Sequence, residues 1–560
     1  MTKQTRIGLI ALVAGLLSSI PVLVALAYDP DATDPARNVA LPCEAVSTPG
    51  LVARTSKDIF HVANVCGFVG TDVELQSRRD TTGKVHDYAF VGTMGAGPRI
   101  FDVTDPTQPK HAGGYVDSGW ENDIQVAGDV MVATYDGVSG EDSSASTCLK
   151  TRYPDANAQG VDIYRLDFNE LTASFEVNLL TCVANPPGGA HNASINPDGK
   201  WFGISDCCSD WAIDVIDVRN VDSGSAVHRY RLIDESQAHT VATTGDARCP
   251  QSASFTCIVM RMPDGSSAAG LWRPHDIHFS RSGDTAYVAA INSTWIIDVS
   301  RILSGVVKPL AVIPNVHHGG TIDDPHNIEI SHQADVTKDG SVLVVSDERG
   351  GGLSNTSCNT DPQGIVGGLH FFALAPIDGQ PRTQRASLTN PISLGEYFAP
   401  NPMKAYDPLQ PVIDSLPRVE RGCTAHVFRL GGNGSTSPGP IQQGYDGVSR
   451  LGKRLLSEAW YGAGVWMIDF SGAPTSTDGV TEDPRTTWGN TLGWNVMPGA
   501  DTWSAKEYKG SIYSGDMLRG LDVYQPARCG TLGCTTPPGV TFELDPLDAL
   551  LVDPLTGTLG

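Results

Sequence analysis

The sequence predicts an all-β fold: a seven-bladed β-propeller with long loop insertions, preceded by a signal peptide. Three observations carry this reading. A three-strand phrase recurs seven times in register, 60 Gly and 37 Pro punctuate 560 residues, and no long segment shows the apolar period of an amphipathic helix. Repeated units of several short strands with Gly/Pro turns point to small sheets arranged radially. A sandwich would not need the same phrase seven times.

The first strands read Thr71–Leu75, Asn122–Val126, His191–Ile195, His275–Phe279, His326–Ile330, His426–Leu430 and, degenerately, Trp503–Lys506. Most alternate with period two, as half-buried strands do. Second strands follow at Asp87–Thr93, Val130–Asp136, Trp201–Asp206, Thr285–Ala290, Val342–Asp347, Arg454–Glu458 and Ser511–Asp516. Third strands run to an apolar stretch, usually around an aspartate: Ile100–Val103, Val161–Tyr164, Ile213–Ile216, Ile296–Val299, His370–Phe372, Met467–Phe470 and Leu521–Tyr524. The stretches 139–157, 235–267, 350–368 and 431–449 are rich in Gly, Ser, Pro and Asp, and are expected as rim loops, where propellers carry recognition.

The domain reading is a signal peptide over 1–27, a linker over 28–50, the propeller over 51–526 and a tail over 527–560 with a disulfide. Lys3 and Arg6 precede an apolar run from Ile7 to Val24, and Ala25-Leu26-Ala27 offers a small-x-small cleavage site. Export is therefore expected, to a secreted or cell-surface location, with no membrane span after cleavage. Twelve cysteines in an exported chain imply disulfides. Proximity pairs Cys43 with Cys66, Cys148 with Cys182, Cys249 with Cys257, Cys358 with Cys423 and Cys529 with Cys534. The adjacent Cys207 and Cys208 stay open between a vicinal bond and other fates.

The formal charge of −24 becomes −26 without Lys3 and Arg6 (−24 − 2), which excludes nucleic acid and anionic lipid as natural partners. Cations are the natural partners, and Asp323-Asp324 reads either as a calcium loop or, with no EF-hand or glycine-rich calcium repeat present, as solubilising charge. No zinc-type CxxC spacing, haem-attachment motif, GxSxG elbow, HExxH helix, P-loop or dinucleotide fingerprint occurs either.

Phe90-Val91-Gly92, followed by Arg99-Ile100-Phe101-Asp102-Val103-Thr104-Asp105-Pro106-Thr107-Gln108-Pro109-Lys110, resembles the LVIVD repeat of bacterial and archaeal surface proteins. His275-Asp276-Ile277-His278, His326-Asn327-Ile328 and the segment Ser514–Val523 are similar to other parts of such chains. The resemblance covers roughly Gly50 to Pro526, with the Asp-Pro-x-x-Pro turn intact in the first unit. It implies a propeller at or beyond the cell surface and no particular reaction.

Chemistry is sought in blade geometry. The start of strand one meets the end of strand two, so His191 is expected beside Ser205-Asp206, His326 beside Ser346-Asp347-Glu348 and His426 beside Ser457-Glu458; His275 faces Ala289-Ala290. In one reading each histidine is tied to its own blade through those Ser and carboxylate groups. In the other, His191, His275, His326 and His426 from blades 3 to 6 turn to the axis and bind one metal, with Asp206, Asp347 and Glu458 holding the far ring nitrogens. Four such donors resemble the iron site of carotenoid-cleaving oxygenases, also propellers, whose wider sequence is absent here. Imidazoles suit Zn, Cu, Fe or Ni. His317, His318 and His332 lie near the fifth unit and supplement a site or stay solvated; Trp460, Tyr461 and Trp494 line a rim pocket or belong to the core. Three functions follow: a binding module for a protein, glycan or small molecule, a metalloenzyme (oxidase, oxygenase or lyase), or a structural envelope component.

Overall fold

The computed structural model describes residues 40–46, 53–117, 119–135, 145–154, 159–184, 190–206, 211–219, 228–235, 255–351, 365–400, 422–430, 454–475 and 482–530, with 221, 407, 409 and 533–535 beside them. The leader, most of the expected linker, Cys207, Cys208, Cys249, Cys358 and most of the four insertions lie outside these residues.

Seven antiparallel sheets follow one another. Strands β1 (Thr55–Lys57) and β2 (Ile59–Val65) come first in the chain and are used last in the ring. Blade 1 is β3 (Val69–Arg79), β4 (Val85–Met94), β5 (Arg99–Asp102) and β6 (Lys110–Gly114). Blade 2 is β7 (Glu121–Ala127), β8 (Val130–Tyr135), β9 (Gly160–Asn169) and β10 (Ser174–Ala184). Blade 3 is β11 (Asn192–Ile195), β12 (Trp201–Asp206), β13 (Ala212–Asp217) and β14 (Arg229–Ile233), with β15 (Phe255–Val259) added parallel at its edge. Blade 4 is β16 (Asp276–Phe279), β17 (Thr285–Ala289), β18 (Ser293–Asp298) and β19 (Lys308–Pro314). Blade 5 is β20 (Ser331–Val336), β21 (Val342–Asp347), β22 (Leu369–Ala373) and β23 (Ile392–Tyr397). Blade 6 is β24 (Phe428–Leu430), β25 (Leu455–Ala459), β26 (Val465–Asp469) and β27 (Asn490–Val496), edged by β1. Blade 7 is β28 (Thr502–Tyr508), β29 (Ser511–Asp516) and β30 (Gly520–Pro526), completed by β2.

The first strands touch in a closed circuit, β3 to β7, β11, β16, β20, β24, β28 and back to β3. Alternation explains the packing, because each sheet turns one apolar face to each neighbour. Seven apolar layers result, one per blade interface. The layer between blades 1 and 2 contains Phe90 and Tyr164, that between 3 and 4 Trp201 and Trp295, and that between 5 and 6 Phe371 and Trp466. The ring closes through the amino-terminal β2, which pairs antiparallel with β30 and so ties the two ends of the domain together.

One expected element moves. The fifth inner strand is not His326–Ile330 but β20, five residues further on, so His326 lies in the connection leading to it and His332 takes the innermost position. The outer strands, absent from the three aligned lines, vary too much in composition to repeat as text.

Where the circuit closes, backbone packs on backbone. A Cβ on Gly515 would stand 1.7 Å from the Thr71 carbonyl oxygen, an atom that cannot rotate away. Gly515→Ala is therefore expected to lower stability by about 3 kcal/mol. Gly472→Ala, with open space around it, is the control. Equal urea midpoints for the two variants would show that blades 7 and 1 separate freely.

Disulfides join Cys43 to Cys66 and Cys148 to Cys182, as proximity suggested. The first pins the short helix α1 (Cys43–Val46) to the connection after β2, and Leu41 N–H bonds the Leu518 carbonyl, so this part of the expected linker is docked on blade 7. The second ties α2 (Thr147–Arg152), from the first insertion, to β10. Cys257 and Cys423 are also disulfide-bonded. In the terminal hairpin of β31 (Arg528–Gly530) and β32 (Gly533–Thr535), Cys529 stands opposite Cys534. Among the described residues, no helix is long and apolar enough to cross a membrane.

Candidate metal centre on the propeller axis

Four imidazoles gather at one end of the axis. The ring centroids of His191 and His275 are 4.4 Å apart, those of His275 and His332 4.3 Å, and those of His332 and His426 4.3 Å. The expected set from blades 3 to 6 is thus brought together with His332 in place of His326. His326 instead points its Nδ1 at Glu396 in the outer part of blade 5, 3.4 Å away.

Strand pairing puts each ring there. The N–H of His191, His275 and His426 bonds the carbonyl of Ser205, Ala289 and Ala459 respectively, at the point where the inner strand begins. In blade 5, Ser331 pairs with Asp347 and Gln333 with Ser346, leaving His332 as the extra residue of a bulge. A bulge re-aims its residue, here toward the axis. Trp503 occupies the same bulged position in blade 7, and its ring lies edge-on to His426 at 4.6 Å.

Neighbouring main chain sets the orientation. His275 Nδ1 lies 3.0 Å from the His332 carbonyl oxygen, and His426 Nδ1 lies 2.5 Å from that of Trp503. A carbonyl only accepts, so each Nδ1 carries the proton and each Nε2 is left with its lone pair. Metal-ligating histidines are held in this way. Burial first, then the proximity of His191 and His426, keeps His275 well below the usual histidine range. His332 is lowered in the same sense, by burial and then by His275. His426 is pushed down to about 3, chiefly by burial. At neutral pH these three rings are uncharged donors.

A carboxylate joins them. Glu348, just after β21, lies with Oε2 3.7 Å from His332 Nε2 and Oε1 3.7 Å from His426 Nε2. Burial raises its carboxyl to about 7, against the hydrogen bond that the Tyr461 hydroxyl donates to Oε1 at 2.7 Å. Two donors about 2.1 Å from one ion, at tetrahedral to trigonal angles, stand about 3.4–3.6 Å apart, so these gaps suit a shared cation better than direct hydrogen bonds. One ligand atom from each of His275, His332 and Glu348 lies within 4.8 Å of the others. Nitrogen-rich donors with one carboxylate fit Zn, Cu, Fe or Ni and not calcium or magnesium.

The expected supporting carboxylates do other work. Asp347 Oδ1 accepts the N–H of Glu329 and Ile330, and Glu458 Oε1 accepts that of His426 at 2.9 Å. They anchor backbone at the start of the inner segments instead of holding ring nitrogens, Glu458 sharing the His426 N–H with the Ala459 carbonyl. Asp206, fully buried, ends β12 opposite Ala212. The serines stitch blades together: Ser205 donates to the His275 carbonyl and Ser457 to that of Ala505 at 2.8 Å. Trp460 is buried in the layer between blades 5 and 6, Trp494 stacks on Trp466, and Tyr461 turns to the axis.

Sequence reading gave His332 only a supplementary place and set Glu348 beside His326, yet a signal for the ring position was present. Trp201 and Thr285 begin the second strand ten residues after their histidine (191 to 201, 275 to 285). Val342 begins ten after His332 and sixteen after His326. Below the ring the axis stays polar. Lys506 Nζ bonds Asp72 and Glu74 at 2.8 Å each, and His278, 2.9 Å from Asp276, is raised to about 9 with Asp276 and Asp335 outweighing its burial.

No family model matches the chain, and no curated protein sequence does. Among solved structures it is similar to the Cps50 (Swd1) β-propeller domain of Myceliophteria thermophila, at 9% identity over 83% of this chain and 99% of that one, TM-score 0.42. It is also similar to the periplasmic gluconolactonase PpgL of Pseudomonas aeruginosa, at 11% identity over 79% and 97%, TM-score 0.40. The WD40 β-propeller domain of Doa1 follows at 8% identity over 85% and 97%, TM-score 0.40.

Proposed function

We propose that this β-propeller is an extracytoplasmic metalloenzyme, an oxidase, oxygenase or lyase, with one transition-metal ion on its axis held by His191, His275, His332 and His426. The observation that carries the reading is the close ring of imidazoles, with Nδ1 of His275 and His426 committed to main-chain carbonyls and Nε2 of His332 and His426 facing Glu348. Bound there, the ion would supply Lewis-acid or one-electron chemistry. Glu348 is the group whose proton the ion would displace, since burial holds its carboxyl at about 7 in the metal-free protein and a cation beside it favours the carboxylate. Tyr461 fixes one carboxylate oxygen and is itself held at φ +40°, a strained conformation of the kind that clusters at functional sites. His191 is only half-buried, unlike its three partners, which leaves the approach on its side.

The leader-like amino terminus and the disulfides, Cys43–Cys66 and Cys148–Cys182 among them, support an extracytoplasmic setting, in keeping with the resemblance to LVIVD surface propellers. The insertions on which rim-loop binding would depend lie largely outside the described residues, so the axis carries the assignment.

Untagged, metal-stripped protein reconstituted with Zn(II), Cu(II) or Fe(II) should hold one more equivalent than the His275→Ala/His332→Ala variant at unchanged far-UV circular dichroism. Binding must also expel the Glu348 proton. Below pH 7 the metal-free carboxyl is protonated, so log K should fall by at least about one per pH unit as pH drops to 5 and flatten above 7. Glu348→Gln should flatten that slope. Equal metal in wild type and double variant, or a wild-type slope near four as for ordinary exposed histidines, would overturn the assignment.

A further inference from the structure

We infer a second transition-metal site, on the same face of the propeller but outside the axis, formed by His317, His318, His326, His370 and Glu396 of blade 5. Strand alternation brings these elements to one end: the connection after β19 carries His317, His318 and His326, His370 is the second residue of β22, and β23 ends near Glu396. His370 and Glu396 are direct cross-strand neighbours. One ligand atom each from His317, His370 and Glu396 lies within 4.8 Å of the others. His318 Nε2 contacts Glu396 Oε1, and His326 Nδ1 stands 3.4 Å from Oε2.

Unused donors point to a ligand. His370 is fully buried, yet neither of its ring nitrogens has a hydrogen-bond partner. An imidazole in that position forgoes both of its interactions unless something binds it. His317 Nδ1 lies 2.9 Å from the Asn315 carbonyl oxygen, which fixes the proton there and leaves Nε2 as a buried lone pair, also without a partner. Glu396 is 1% exposed and aimed by the Thr487 hydroxyl at 2.7 Å. The connection is shaped to hold its histidines: the buried Asn327 side chain bonds His318 N–H and the carbonyls of Gly319 and Thr321. His318 and His326 are 38% and 36% exposed, so the ion enters and leaves from solvent. Imidazoles with one carboxylate select a borderline divalent ion such as Zn(II) or Cu(II).

The test titrates untagged, metal-stripped protein with Zn(II) alone and counts bound zinc after desalting. The His275→Ala/His332→Ala variant should retain one equivalent, and His317→Ala/His370→Ala should lose one relative to wild type. Because His370 is buried and its removal can disturb blade 5, the half-exposed pair is changed as well. His318→Ala/His326→Ala, with an unaltered melting curve, should weaken zinc at this site at least about 10- to 100-fold. With Cu(II), nitrogen hyperfine structure from several imidazoles should persist in the axis variant. A folded axis variant without zinc, or zinc binding unchanged in both blade-5 variants, overturns the proposal. Equal zinc in wild type and axis variant overturns the axis reading instead and leaves this one standing.

Discussion

In a chain whose blade-5 cluster is silenced by His317→Ala and His370→Ala, adding His332→Ala is expected to abolish the remaining metal binding, whereas adding His326→Ala leaves it intact. His332 stands between His275 and His426 with ring centroids 4.3 Å from each. It is therefore the member whose loss opens the ring in the middle. Its Nε2 is also one of the two that face Glu348. Loss of a group that merely supports a ligand weakens a metal about 10- to 100-fold, so loss of this ligand should exceed about 100-fold. His326, directed at Glu396, has no part in that ring. Competition titration against a chelator reads both affinities. If the two variants weaken the site equally, the ring is not the binding unit.

The contrast between these two histidines also shows what the sequence could and could not resolve. Seven inner strands were visible because a half-buried strand alternates with period two, and six of the seven positions agree with the structure. The fifth failed for a specific reason. His326-Asn327-Ile328-Glu329-Ile330 and His332-Gln333-Ala334-Asp335-Val336 both begin with histidine and both alternate, and they lie six residues apart, an even step that period two cannot distinguish. Only the ten-residue distance to the second strand separates them. The bulge that turns His332 inward leaves no mark in an alternation pattern, nor does the carbonyl that fixes a tautomer. The carboxylates Asp347 and Glu458 were brought near the inner strands but assigned to ring nitrogens, whereas they accept main-chain N–H groups, and no alternation pattern tells which of the two a carboxylate will meet. Tyr461 and Glu348 meet across blades 6 and 5, more than a hundred residues apart, and no local pattern links them.

Ring closure was likewise illegible, and it carries the largest expected effect on stability. Asp522→Ala should cost about 3–5 kcal/mol. Asp522 and Arg519 are both fully buried in blade 7, joined through Nε to Oδ2 at 2.6 Å and Nη2 to Oδ1 at 3.0 Å. The same carboxylate bonds His61 Nε2 at 2.7 Å and receives Asn64 Nδ2 at 2.8 Å, both from β2. One side chain therefore neutralises a buried guanidinium and fastens the amino-terminal strand that shuts the circuit. Removing it leaves the buried Arg519 guanidinium with the Pro498 carbonyl, 2.9 Å from Nη1, and only the weaker pull of Asp516, whose Oδ1 accepts the Arg519 main-chain N–H. Burying an unpaired charge is costlier than losing the attraction of the pair, which is why truncation exceeds the value of a surface ion pair several-fold. Asp522→Asn keeps the shape and an acceptor oxygen but not the charge, so it should fall between the wild type and the alanine variant. Urea midpoints give the order, and hydrogen exchange should locate the loss in β2 and β30 before the other blades. A change below about 1 kcal/mol for Asp522→Ala would mean that water reaches Arg519, and that the propeller is closed by the apolar layers of blades 6, 7 and 1 without this pin.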